Sequence, residues 1–118
     1  MRVIVAGAVA WKNADAIRRE LALLPAGAVV IHGDCAGADA LAGAIAAELG
    51  FGVEAMAKNR DDHARYKKAA WKGLNERMLA SGADLVLAFH PDIANSRGSG
   101  HLLDLARTAG VPVRVHAE

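Results

Sequence analysis

Two glycine-rich segments have the residue types and spacing that suit an anion-binding site. One spans residues 33–39 and reads Gly-Asp-Cys-Ala-Gly-Ala-Asp, and the other spans residues 97–100 and reads Arg-Gly-Ser-Gly. Each stands between an apolar run and a helical pattern. Glycine lets the backbone turn sharply and lets a ligand approach, and the helix that follows adds free N–H groups and the positive end of its dipole. Both segments are therefore predicted to bind a phosphate-like group.

Each segment also has a structural interpretation. Residues 33–39 match neither the dinucleotide-binding fingerprint nor the P-loop pattern, so they also fit a tight strand-to-helix turn in which Asp39 favours the helix dipole. In the second segment Arg97 offers charge, while Ser99 fits either a phosphate contact or a helix cap. We favour binding at the second segment and leave both interpretations open at the first.

Other reactive residue types form no recognisable site. Cys35 is the single cysteine, which excludes an internal disulfide and a multi-cysteine metal site. The histidines lack the spacing of zinc ligands, so neither a metal nor a cofactor is predicted. Asp34 and Asp39 are the candidate catalytic carboxylates because they accompany the first glycine segment.

The elements that position these residues alternate regularly along the chain. Four helical regions are predicted, the first after an Asn13 cap, the second ending before Gly50, and the others over 62–80 and 99–109. Strands are predicted at residues 3–6, 28–31, 53–56, 85–89 and 113–115. This α/β alternation predicts a Rossmann-like three-layer α/β/α sandwich with a five-stranded parallel sheet in the order 3-2-1-4-5.

The predicted strand order brings the glycine segments together. Ligands of such folds bind where the strand order reverses, at the carboxyl ends of the strands. The turn at Gly7 should then lie between residues 33–39 and residues 97–100. The 118 residues fit one domain, so residues 1–118 are predicted to form a single ligand-binding domain.

Charge and hydropathy limit the class of partner. A net charge of +1 and few aromatic residues make a nucleic-acid partner an unfavoured prediction. No apolar run reaches the roughly eighteen residues of a membrane span, and the N-terminal apolar run is too short for a secretory signal, so no membrane partner and a cytoplasmic location are predicted. Basic residues between 58 and 68 fit either a phosphate contact or a solvated face. Trp71 is interpreted as a core or dimer contact rather than a base-stacking residue.

The ordered motifs resemble the SLOG superfamily, and within it the single-domain YspA-like branch, over nearly the whole chain. A glycine turn ends the first strand, and Gly-Gly-x-x-Gly-Ala-Asp, Arg-Asn-x-x-Met, Gly-Thr and Ala-Gly-Val-Pro-Val follow in that branch. The corresponding positions here are Gly7, residues 33–39, His63 with residues 74–78, Gly98-Ser99 and residues 109–113. The resemblance implies a pocket for a nucleotide or nucleotide-derived small molecule. It also implies a homodimer, for which the Trp71 helix is the candidate interface.

One departure from the family bears on catalysis and another on the identity of the ligand. The lonely-guy phosphoribohydrolases of the superfamily use an Arg and a Glu at positions that correspond here to Leu74 and to His101 or Leu102. Neither leucine nor neutral histidine supplies the carboxylate that an oxocarbenium-like transition state needs. The Arg-Asp pair after the first glycine turn is replaced by Val9-Ala10.

The resemblance and the glycine segments together predict a protein that binds or senses a phosphorylated nucleotide derivative without converting it. The alternative is a nucleotide N-glycosidic hydrolase or transferase in which Asp34 or Asp39 replaces the missing Glu. The predicted ligand-binding residues are Gly7, Gly33, Asp34, Gly37, Asp39, Asn75, Arg97, Gly98, Ser99 and Gly100.

Overall fold

A computed structural model describes all 118 residues of the chain. Strands and helices alternate along it as the sequence predicts. The elements are β1 (Arg2–Gly7), α1 (Ala14–Leu21), β2 (Val29–His32), α2 (Ala38–Glu48), β3 (Gly52–Ala55), α3 (Arg60–Tyr66), α4 (Trp71–Ala80), β4 (Leu85–Phe89), α5 (Arg97–Thr108) and β5 (Val113–His116). Short 3-10 turns at Lys67–Ala69 and Ile93–Asn95 precede α4 and α5.

All five strands join one parallel sheet in the order β3-β2-β1-β4-β5, which confirms the predicted fold class and strand order. Helices α1 and α2 pack together over one face of the sheet and α4 packs against α5 over the other. Alternate residues of the central strands enter the two resulting cores: Val3 and Val5 face α1 and α2, whereas Ile4 faces α4 and α5. Burial on both faces explains why these strands read as continuous apolar runs.

The region 62–80 is not the single helix that its periodicity predicts. Helix α3 ends at Tyr66, and Lys67 follows with φ +54°, a left-handed conformation that a helix cannot accommodate. An Asn59–Asp62 capping box fixes the start of α3, and Arg77 on α4 reaches back to Asp62 at 2.5 Å. The break was missed because neither glycine nor proline marks it.

Helix α5 begins two residues earlier than predicted. The cap is Ser96, whose hydroxyl accepts from the amide of Ser99 at 3.2 Å. Residues 97–100 are therefore the first turn of a helix and not a separate glycine turn. At the other predicted cap, Asn13 accepts from Ala16 N at 3.1 Å and confirms the expected start of α1. No helix has both the length and the apolar character to cross a membrane.

Candidate functional site

An open cleft of about 310 Å³ lies at the carboxyl ends of β1, β2 and β4. This is where the chain order reverses between β1 and β4, the place where open α/β sheets bind ligands. Its walls come from the loops after β1, β2, β3 and β4, from α4, and from the start of α5. The lining residues are Ala6, Gly7, Ala8, Val9, Gly33, Cys35, Asp39, Lys58, Trp71, Leu74, Asn75, Met78, His90, Ser96, Gly98 and Ser99.

The loop after β2 is held in shape by the side chain of Asp39. Asp39 Oδ2 accepts from the amide of Gly33 at 3.0 Å and from that of Cys35 at 3.4 Å. The intervening amide, that of Asp34, donates to His32 Nδ1 at 3.0 Å, and Asp34 takes a positive φ of 59°. Three consecutive amides are thus occupied within the protein. The loop contributes shape to the cleft, while its amides from 33 to 35 already have acceptors.

Asp39 is the one carboxylate that lines the cleft, and its side chain is buried with the residue only 7% exposed. Burial raises the pKa of Asp39 to about 6, against the lowering effect of the two amide hydrogen bonds. Burial and the neighbouring Asp39 charge also raise the pKa of the Cys35 thiol, which disfavours the reactive thiolate. The acidic group with access to the cleft is therefore a carboxyl group that exchanges protons near neutral pH.

Gly37, at the edge of this loop, lets the loop backbone pack closely against the loop after β1. It has φ +76°, and a Cβ built on it would overlap the carbonyl oxygens of Ala8 and Val9. The adjacent amide of Ala38 donates to Ala8 O at 3.2 Å. A Cβ on Gly7 would similarly overlap Phe89 O. Both glycines allow the backbones of β1, β4 and α2 to approach, and only Gly7 of the two lines the cleft.

The start of α5 has more available donors than the loop after β2. The first turn of a helix contains amides without an acceptor four residues earlier, and the Ser96 hydroxyl satisfies that of Ser99. The amides of Arg97 and Gly98 remain, at the positive end of a helix of 12 residues. A Cβ on Gly98 would meet nothing within 4 Å, so this glycine leaves open space beside its amide.

Asn75 connects α4 to the start of α5. Its Nδ2 donates to Gly98 O at 3.0 Å and lies 3.1 Å from His101 Nδ1. Burial, followed by the charge of Lys72, lowers the pKa of His101, which favours the neutral ring that can accept this hydrogen bond. The buried Asn75 therefore fixes the position of Gly98 relative to the cleft.

Lys58 supplies the one cationic side chain of the cleft. It follows β3 and precedes the α3 cap, in a segment that Arg77 fastens to α4 through Ala57 O at 2.8 Å and through Asp62. The guanidinium of Arg77, acting against burial, lowers the pKa of Asp62, so this ion pair persists over the neutral range. The segment that presents Lys58 is thereby anchored at both ends.

Six of the predicted ligand-binding residues meet in the cleft and four do not. Those brought together are Gly7, Gly33, Asp39, Asn75, Gly98 and Ser99. Arg97 and Gly100 line a separate groove on the outer side of α5 with Ile93. Asp34 and Gly37 lie in the loop after β2 without lining the cleft.

Trp71, His90 and Ser96 line the cleft but are absent from the predicted ligand-binding residues. The predicted strand order does place residues 90–99 at this edge of the sheet, whereas it gives no place in the cleft to Trp71. For His90 the sequence contains a signal: the pattern His-x-Asp occurs at the end of β2 and again at the end of β4. His90 Nδ1 accepts from Asp92 N at 2.9 Å, as His32 Nδ1 accepts from Asp34 N. The repeat marks equivalent strand ends and could have identified His90.

No family model matches the chain. The Gene 61 protein of Mycobacterium phage D29 is 36% identical to it over 119 residues, an alignment that covers 95% of this chain and 93% of that protein. The chain belongs to the same family as the phage Gene 61 protein.

Proposed function

We propose that the cleft binds a nucleotide or a nucleotide-derived phosphorylated small molecule, and that the protein acts as a binding or sensing module. One observation carries the proposal: Gly98, in the first turn of a helix of 12 residues, and Lys58 line the same open cleft at the reversal of strand order. Amides at a helix N-terminus and an ammonium group are the donors that phosphate oxygens accept from.

The charge balance of the cleft supports an anionic guest. Lys58 brings an ammonium group to the cleft, and the one lining carboxylate, Asp39, accepts from the amides of Gly33 and Cys35. The cleft volume of about 310 Å³ is at the small end of ligand pockets, which suits one small molecule rather than a long polymer.

Calorimetric titration with AMP, GMP and ADP-ribose tests the proposal. We expect saturable binding of at least one of them to the native protein. Lys58→Ala should weaken that binding by about 3- to 10-fold because an exposed charged hydrogen bond is lost. Lys68→Ala is the matched control, since Lys68 is exposed and lies outside the cleft. Absence of binding across the panel, or equal effects of the two lysine variants, contradicts the proposal.

Asp39 favours a second candidate, an N-glycosidic hydrolase or transferase acting on a nucleotide. A buried carboxyl group with a pKa of about 6 is suited to accept or donate a proton near neutral pH. Release of free base or ribose 5-phosphate from nucleoside monophosphates by the native protein, and its loss in Asp39→Asn, would establish this activity. Absence of product at high protein concentration would eliminate it.

A further inference from the structure

We propose that Trp71 makes the cleft selective for ligands with a planar aromatic ring, by stacking that ring on its indole, an inference that rests on the proposed function. Trp71, Leu74 and Met78 form one apolar stripe of α4 at positions i, i+3 and i+7, and all three line the cleft. Leu74 and Met78 are only 4% and 3% exposed and belong to the core under the sheet. Trp71 is half-buried and outside that core, so the stripe extends beyond the packed interior to the cleft wall.

The two tryptophans differ in burial and in the hydrogen-bond and aromatic partners that the protein provides for them. Trp11 is buried, its Nε1 donates to Asn13 O at 2.9 Å, and its ring packs on Phe89 with centroids 5.7 Å apart. Trp71 has no hydrogen-bond acceptor for its Nε1 within the chain. Its one aromatic neighbour is His101, whose ring meets it edge-on at 77° and 5.4 Å. No ring of the chain lies parallel to Trp71. The Lys72 ammonium lies over one face of the indole, 5.7 Å from the ring centroid, so a stacked ligand ring would occupy the other face.

The indole is supported in a fixed position. His101 packs against it from α5, and Asn75 holds His101 by the hydrogen bond of 3.1 Å. Trp71 is also the first residue of α4, which the Arg77–Asp62 ion pair ties to α3. A rigid aromatic surface costs less conformational entropy on binding than a mobile one, so this arrangement favours stacking.

The cleft lining combines apolar and polar groups. Trp71, Leu74 and Met78 of α4 are among the apolar residues, and Lys58, Gly98 and Ser99 are among the polar ones. A ligand with an aromatic ring joined to an anionic group matches both kinds of lining. Nucleotides have this composition, and their bases stack on tryptophan with little dependence on which base is present. A sugar phosphate without a base would match only the polar groups.

Comparison of AMP, GMP and ribose 5-phosphate isolates the contribution of Trp71. Affinities are measured by calorimetry for the native protein, Trp71→Leu and Trp71→Phe. We expect Trp71→Leu to bind AMP and GMP roughly 5- to 150-fold more weakly, which is the fold-change that base stacking on an aromatic residue supplies. Ribose 5-phosphate should bind the native and variant proteins equally, and Trp71→Phe should restore part of the loss. Nucleotide binding should also quench the fluorescence of Trp71. The emission of Trp11 should stay constant, because Trp11 does not line the cleft.

The outcomes separate this inference from the proposed function. If AMP and GMP bind the native protein and Trp71→Leu equally well, the stacking inference is overturned while nucleotide binding stands. If ribose 5-phosphate loses as much affinity as AMP in Trp71→Leu, Trp71 shapes the cleft as a whole and the inference is again overturned. If the native protein binds none of the three compounds, both proposals are overturned. Circular dichroism of each variant confirms that the comparison is made between folded proteins.

Discussion

The loop after β2 and the start of α5 have similar residues, yet their backbone amides have different partners. In the loop, the amides of Gly33 and Cys35 donate to Asp39, and Gly37 lies against the carbonyl oxygens of the β1 loop. At the start of α5, one amide is capped by Ser96 and Gly98 has open space around it. We infer from this difference that a glycine segment can bind a ligand only where its donors are not already used by the protein.

Substitution of Gly37 is expected to lower the free energy of unfolding more than any other change considered below. Gly37→Ala places a Cβ at φ +76° against two carbonyl oxygens, so we expect the free energy of unfolding to fall by at least ~3 kcal/mol. Urea denaturation measures this change. Gly50→Ala is the control, because Gly50 has φ +82° but nothing within 4 Å of its Cβ position. It should cost only ~1 kcal/mol for the left-handed conformation. Equal losses in the two variants would contradict the packing role of Gly37.

The free energy of unfolding is predicted to depend on pH through Asp39, which holds the loop after β2. No equivalent carboxyl group lines the cleft at the start of α5. Its pKa rises from 3.8 to about 6 on folding, so the native state binds the proton more tightly than the unfolded state. This contribution is fully present below pH 3.8 and is lost as the pH rises through 6. Relative to Asp39→Asn, the native protein should lose roughly 2 kcal/mol between pH 4 and 7.

Urea denaturation of both proteins at several pH values checks the Asp39 prediction. The lowered pKa values of His32 and His101 act in the opposite direction over part of this range, because buried neutral histidines lose stability as the pH falls. They are present in both proteins, so the difference between native and variant isolates Asp39. A difference that does not change with pH would refute the proposed state of this carboxyl group.

The Ser96 cap provides a smaller test at the other segment. Ser96→Ala removes the acceptor for the Ser99 amide, and we expect the free energy of unfolding to fall by ~1 kcal/mol. Ser96→Asp keeps an acceptor at the cap and should restore most of it. Thermal denaturation gives both values, and an unchanged midpoint in Ser96→Ala would show that α5 does not depend on this cap.

Substitution of Gly98 is expected to change stability least, and in the opposite direction to substitution of Gly37. Gly98→Ala adds a Cβ in open space within a helix, so the protein should gain up to ~1 kcal/mol. The same methyl group borders the cleft and should weaken AMP binding because it obstructs approach to the amide. Paired denaturation and calorimetry test the two effects. A variant that is more stable and binds AMP as well as the native protein does would separate Gly98 from the ligand.

The fold was predictable because its determinants are local or topological. Continuous apolar strands alternating with amphipathic helices require a parallel sheet, and right-handed crossovers restrict the strand order. The cap at Asn13 was likewise readable because a cap depends on residues within one turn of it.

The candidate site was less predictable because its features depend on contacts between distant residues. Lys67 adopts a left-handed conformation without glycine, and this break determines where Trp71 lies at the start of α4. The amides from 33 to 35 are occupied because Asp39 folds back on them. The amino-acid sequence of residues 33–39 is equally compatible with a phosphate-binding turn. Periodicity identified the Trp71 face of α4 as apolar but gave no information on where the core beneath it ends.

The hydrogen bond at the end of β4 has a consequence for the chemistry of the cleft. Because Nδ1 of His90 accepts the Asp92 amide at 2.9 Å, the neutral imidazole must be the Nε2–H tautomer. The ring nitrogen left for a guest is then a proton donor, so His90 acts toward a bound molecule as a further amide would.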